Sequence, residues 1–276
     1  MKVFLLLLLI SCSSTHLKRT VNESAQDGFK KESLFRYSES RLISLKKTHN
    51  LITQSLIMCH RGSIKEGLKK LNQNLDSYRE NPSYWSAMGN CLYLDGNFEK
   101  AEYFYKLALS KNQNHIPSLN NLALIYLSRD QVSMALEKMQ KAIKISNSHL
   151  LKYNYAQILI DNHRYHKAQK VLKKLYLRFP KDQDVACSYA ISLFLNSLHE
   201  KSYQVFKSLD QDIRTRVDNH LYVAMNLLAL DKFQETKNFL ESVKTPVVKD
   251  LRISKEKLYS LVLKRIDTLD EVHNEK

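Results

Sequence analysis

Small residues recur along this chain with a fixed period. They stand at Ser55, Gly89, Ala123, Ala156, Ala190 and Ala224, spaced 34, 34, 33, 34 and 34 residues apart. A second column, Gly67, Ala101, Ala135, Ala168, Ser202 and Thr236, keeps the same spacings, with the deletion at the same place. Four residues after each member of the second column comes an apolar residue: Leu71, Tyr105, Met139, Leu172, Phe206 and Leu240. Three residues after each member of the first come Met58, Leu92, Tyr126, Leu159, Leu193 and Leu227. A repeat of this length is two helices and their turns, and one copy cannot bury its own apolar face. Stability must come from stacking neighbours. Small residues belong where two helix backbones approach closely, and the apolar columns fill the space beside them. Only 5 glycines and 4 prolines occur in 276 residues, too few for a turn-rich strand fold or a glycine-rich phosphate loop.

The clearest copy is "NPSYWSAMGNCLYLDGNFEKAEYFYKLALS", residues 81–110. Asn81 is placed to cap the first helix, with Pro82 at the first helical position, where a missing N–H costs nothing. Asp95-Gly96-Asn97 supplies the turn to the second helix, and Pro180 before Asp182 marks another unit start. The run Trp85-x2-Met88-Gly89-x2-Leu92, then Ala101-x3-Tyr105 and Ala108, resembles the tetratricopeptide repeat (TPR) family. It differs in having Met88, Leu92 and Gln113 where the family has Leu, Tyr and Pro. The resemblance implies an all-α fold, a right-handed α-solenoid of about six TPR helix pairs. The first pair covers about 48 to 81 and the sixth about 217 to 249, in an array spanning residues 34–249. "SLFRYSESRLISLKK" adds an amphipathic leading helix. Leu251, Leu258, Leu261, Val262 and Leu269 predict a C-terminal capping helix within 250–276, ending in a frayed tail.

The N-terminus reads as an address. Lys2 precedes an apolar run, Val3 to Ile10, too short to span a bilayer, which needs roughly 20 residues, but right for a signal. Leu9-Ile10-Ser11-Cys12 resembles the lipobox of bacterial lipoproteins. That resemblance implies a signal peptide over 1–11, cleavage before Cys12 and lipid attachment to Cys12. Ser13 at the next position implies, on the enterobacterial rule, an outer-membrane protein facing the periplasm. Multiple acyl chains give stable anchoring where one is marginal. Residues 12–33 are polar and lack apolar periodicity, the composition of a flexible tether.

Cys59, Cys91 and Cys187 remain. They are odd in number and widely spaced, with no CxxC, so the expectation is thiols, buried or lining the groove, without zinc or a disulfide framework. The formal net charge is +15. Such charge suits an anionic partner, or simply a lysine-rich solvated surface. Its densest run, Lys167, Lys170, Lys173, Lys174 and Arg178, makes one exposed helix stripe. Export argues against nucleic acid as the partner.

No GxSxG, HExxH, GxxxxGK[ST] or GxGxxG occurs, and nothing calls for a cofactor. Asp161, His163 and His166 fall at a turn between two helices, where polar residues are ordinary, so no metal is expected. The reading is a binding protein and not an enzyme. The family's phase puts first-helix residues on a concave, peptide-binding groove: Asn90, Tyr93, Asn120, Leu124, Tyr153, Gln157, Ile191 and Phe194. Ser86, Cys187, Leu221, Met225 and Leu228 extend it. Its early part is polar and aromatic, suited to an extended peptide backbone. Its late part is apolar, open to an amphipathic partner or filled by the chain's own C-terminal helix. Two groups are similar in plan: TPR lipoproteins that help assemble the secretin ring of type IV pili, and those that gather peptidoglycan hydrolases or proteases. Both imply envelope proteins or peptides as partners. Oligomeric state is left open.

Overall fold

The computed structural model describes residues 50–214 and 219–243. The signal, Cys12, the tether, the leading helix and the C-terminal capping helix lie outside the described residues. Within them the chain forms fourteen helices and no strand. It divides into two compact units at residues 162 and 163, inside the fourth repeat of the 34-residue period.

The first unit runs, among described residues, from 50 to 162. It contains α1 (Leu51–His60), α2 (Ile64–Asn72), a short α3 (Leu75–Tyr78), α4 (Pro82–Leu94), α5 (Phe98–Lys111), α6 (Ile116–Ser128), α7 (Val132–Ile145) and α8 (His149–Asp161). Helices pair as α1 with α2, α4 with α5 and α6 with α7, and each pair stacks on the next. The second unit contains α9 (Tyr165–Arg178), α10 (Gln183–Leu195), α11 (His199–Lys207), α12 (Gln211–Arg214), α13 (Asn219–Ala229) and α14 (Phe233–Ser242). There α9 packs on α10, α10 pairs with α11, and α13 with α14.

Both small columns are buried throughout, from Ser55 and Gly67 to Ala224 and Thr236. The reason shows at both glycines: an added Cβ at Gly67 would stand 2.9 Å from the Ser55 carbonyl oxygen, and one at Gly89 2.6 Å from a ring carbon of Tyr105. Hydroxyls in these columns are satisfied locally. Ser55 donates to the Leu51 carbonyl at 2.9 Å and Thr236 to the Lys232 carbonyl at 2.8 Å. The apolar column from Leu71 to Leu240 is fully buried at all six places. Each such side chain contributes roughly 1.5–3 kcal/mol relative to exposure. Trp85 packs rather than reacts. Its ring stacks on Phe104 with centroids 5.8 Å apart, and its N–H donates to the Arg79 carbonyl at 2.7 Å.

The caps follow the local chemistry. The Asn81 side chain accepts from the Ser83 N–H at 2.9 Å, ahead of Pro82, and Asp182 accepts from the Val185 N–H at 3.2 Å. The inter-helix turns show a periodicity that the glycines alone only hint at. Left-handed residues fall at Gly62, Gly96, Asp130, His163, Ser197 and Asp231, with φ between 53° and 89°. In five of the six turns the next N–H bonds back to the apolar column, as Asn97 does to the Leu92 carbonyl at 2.8 Å. This closure satisfies carbonyls the helix end would otherwise leave unpaired. It is strong enough to hold Asp, His and Ser where L-residues are disfavoured.

Candidate functional site

Two cysteines expected to be thiols are bonded to each other. Cys59 on α1 and Cys91 on α4 form a disulfide, with Cα atoms 5.3 Å apart, in the core of the first unit. The expectation failed because cysteine counting ignores the stacking register. The pair is 32 residues apart, two short of one repeat, and that offset brings successive first helices face to face. Cys187 is the free cysteine among the described residues. Its Sγ donates to Asn219 Oδ1 at 3.2 Å, also across 32 residues.

The groove residues of the first unit separate by depth. Asn90, Asn120, Leu124 and Tyr153 are buried, with Asn120 at 0% and Tyr153 at 2% exposure. Tyr93 and Gln157 are half-buried. The asparagines bond one another. Tyr105 Oη and Asn121 Nδ2 both donate to Asn90 Oδ1, at 2.7 Å each. Asn120 Nδ2 donates to Asn121 Oδ1 at 2.9 Å, and Asn154 Nδ2 to Asn120 Oδ1 at 2.8 Å. The chain crosses α4, α5, α6 and α8, so it ties three successive repeats together. It ends at Asn154 Oδ1, a buried acceptor with no hydrogen-bond partner. Asn121 and Asn154 were not among the sequence-derived candidates. Their signal was the pair Asn120-Asn121, which puts one amide on each side of the same helix face. Buried amides in such a network are costly to break one at a time.

In the second unit Ile191 and Phe194 are half-buried. Phe194 sits edge-on to His199 and to Tyr222, with centroids 5.3 Å apart in both cases. Asn226 donates to Ser202 Oγ at 2.8 Å, and Ser202 donates onward to the Ala190 carbonyl at 2.8 Å. The late face is therefore aromatic, with polar links at its base through Asn226 and Asn219.

One titratable group stands out by position. His115, at the start of α6, reaches Ser118 Oγ at 2.9 Å through Nδ1 and Ser83 Oγ at 3.3 Å through Nε2. Burial pushes its pKa down to about 4, so the imidazole is neutral near pH 7. No group of three or more His, Cys, Asp or Glu among the described residues could hold a metal ion. Among the described residues, no helix is long and apolar enough to cross a membrane.

Comparisons with known proteins agree with this architecture. Residues 95–175 match the family described as anaphase-promoting complex, cyclosome, subunit 3. Among solved structures, the chain is similar to PilW, described as a widely conserved type IV pilus biogenesis factor. The TM-score is 0.60 at 17% identity, over 71% of this chain and 91% of that one. It is similar to YrrB, a TPR protein with an unusual peptide-binding site (TM-score 0.54, 13% identity, 62% of this chain and 93% of that one). A tetratricopeptide repeat protein from Parabacteroides merdae matches with TM-score 0.53 at 16% identity, over 82% of this chain and 91% of that one. No curated protein matches the sequence. The class is thereby defined: the fold is all-α and of the TPR solenoid type.

Proposed function

We propose that this chain is a lipid-anchored scaffold of a bacterial envelope, holding other envelope proteins on its TPR surface. The observation that carries the exported location is the Cys59–Cys91 disulfide. Such bonds persist in oxidising compartments and are rare where glutathione keeps thiols reduced. It supports the same address as the lipobox-like Leu9-Ile10-Ser11-Cys12. Tyr93 and Gln157 offer half-buried contact residues in the first unit, and Ile191 and Phe194 offer them separately in the second. An aromatic late face suits an amphipathic segment of the partner. Within this reading the pilus role is the leading assignment. PilW supports it in fold only, so the partner must be identified directly.

The test is crosslinking in cells from photoreactive residues placed at Tyr93 and Gln157, in the wild-type chain and in Cys12→Ala. The expected capture is an envelope protein, a secretin-ring component on the pilus reading. Cys12→Ala should leave the membrane fraction in high salt. Capture of cytoplasmic proteins alone, or unchanged fractionation of Cys12→Ala, overturns the proposal. Capture of a cell-wall hydrolase instead would keep the scaffold and discard the pilus role.

A further inference from the structure

Helix α9 reads "YHKAQKVLKKLYLR" and carries five basic residues and no acid. The other second helices each hold at least one acid, such as Glu66 in α2, Glu102 in α5, Glu137 in α7 and Glu200 in α11. Two of those acids form ion pairs. Lys106 pairs with Glu102 at 2.6 Å and Lys138 with Glu137 at 2.7 Å, each on its own helix. No ion pair among the described residues involves Lys167, Lys170, Lys173 or Lys174. The inward side of α9 is apolar, with Ala168, Leu172 and Leu175 buried. All five basic residues are exposed on the opposite side. At about 100° per residue they span an arc of roughly 140°.

Leu177 falls within that arc, between Lys173 and Lys170. It is 69% exposed, more than any other large apolar side chain among the described residues. Lys173 and Lys174 stand one turn before it and Lys170 two turns before. A solvated lysine face has no use for an exposed leucine among its charges, and a soluble polyanion offers it nothing to bury against. An anionic lipid surface satisfies both. Phosphates meet the ammonium groups, lysine stems lie along the interface, and the leucine enters the acyl boundary.

We infer that the outer face of α9 docks on anionic phospholipid, with Lys170, Lys173 and Lys174 as the charged contacts and Leu177 as the apolar one. This contact is separate from the lipid anchor, because it uses folded residues of the second unit alone. It would hold that unit against the membrane.

The test is co-sedimentation of the unlipidated full chain with two kinds of vesicle, pure phosphatidylcholine and about one-third phosphatidylglycerol. The apolar run at residues 3–10 binds both kinds, so the difference between them reads the basic face. Wild-type chain should prefer the anionic vesicles by about tenfold or more, falling with salt. Lys170→Gln/Lys173→Gln/Lys174→Gln should remove most of that preference, and Leu177→Ser should weaken anionic-vesicle binding several-fold, with helicity by circular dichroism unchanged. No preference in the wild type, or the same preference in the triple variant, overturns the inference. So does an unaffected Leu177→Ser combined with lysine-dependent binding to heparin or DNA, which would assign the face to a soluble polyanion.

Discussion

The two units solve one packing problem with different chemistry. In both, residues 32 apart on successive first helices come within bonding reach. In the first unit those residues are Cys59 and Cys91, joined covalently; in the second they are Cys187 and Asn219, joined by one hydrogen bond of 3.2 Å. The asparagine chain repeats the contrast. In the first unit it links three repeats through five side chains, whereas in the second Asn226 bonds Ser202 and the Tyr222 carbonyl. The repeat therefore dictates where side chains meet but not what holds them. The first unit is cross-linked and polar inside; the second is held by aromatic packing around Phe206 and Tyr222, with rings 6.4 Å apart.

That contrast is broken most directly by reduction. Closing a loop of this length constrains the unfolded chain by about 3–4 kcal/mol. Dithiothreitol, or Cys59→Ala/Cys91→Ala, should lower the first unit's stability by about that amount. Trp85 is the chain's only tryptophan and packs in the same cluster as both cysteines. Its fluorescence therefore reports the first unit during urea unfolding. The expected result is a large shift in the tryptophan midpoint and a smaller one in the far-ultraviolet signal, which averages both units. Equal shifts in the two signals would mean that the disulfide supports the whole chain, and the contrast would fail.

How much of this was legible beforehand depends on whether a feature repeats. The small and apolar columns predicted burial correctly from Ser55 to Leu240 except at Met58, which is half-buried, because each is demanded by the same backbone approach in every copy. The cap at Asn81 and the turn at Gly96 were legible because their residue types have narrow uses. The left-handed backbone at Asp130, His163 and Ser197 was not, even where the turn itself was placed at His163, since the closure imposes that conformation without requiring glycine there. The disulfide was missed for a related reason. It occurs in one pair of copies and lies two residues off the period, where column alignment does not look. The family's phase assigns the groove to first-helix residues, but phase says nothing of depth. Whether Asn120 faces a partner or another amide was decided by Asn121 and Asn154, one residue to the side and one repeat away.

A pH titration sharpens the comparison through His115, which bridges Ser83 and Ser118 in the first unit. Its folded pKa, about 4, lies below the ordinary histidine value. The neutral imidazole is the form the fold accepts, so stability is fully present above the unfolded pKa and is lost as pH falls toward the folded one. Between pH 7 and pH 5 the first unit should lose about 2 kcal/mol on this account. His115→Asn should flatten the dependence over that range in the Trp85 signal. If the slope persists in the variant, carboxylates carry it and the half-buried imidazole does not.

The smallest expected effect lies in the second unit, at Ser197. Its φ of 59° is held against the preference of an L-residue, whereas the first unit has glycine at two of its three described turns, Gly62 and Gly96. Ser197→Gly removes the strain but adds freedom to the unfolded chain, and the two terms oppose. Because the left-handed cost for a non-glycine residue is about 1–2 kcal/mol and the entropy term about 0.4–1, a net gain of roughly 0.5–1 kcal/mol is expected. Ser197 is exposed, so no packing contact is lost. The matched change in the first unit is Asp130→Gly, where the short polar side chain already tolerates the left-handed region, so its gain should be smaller. Thermal unfolding of both variants by circular dichroism measures the difference. If Asp130→Gly gains as much as Ser197→Gly, side-chain type at these turns has no influence, and the strain is set by the backbone closure alone.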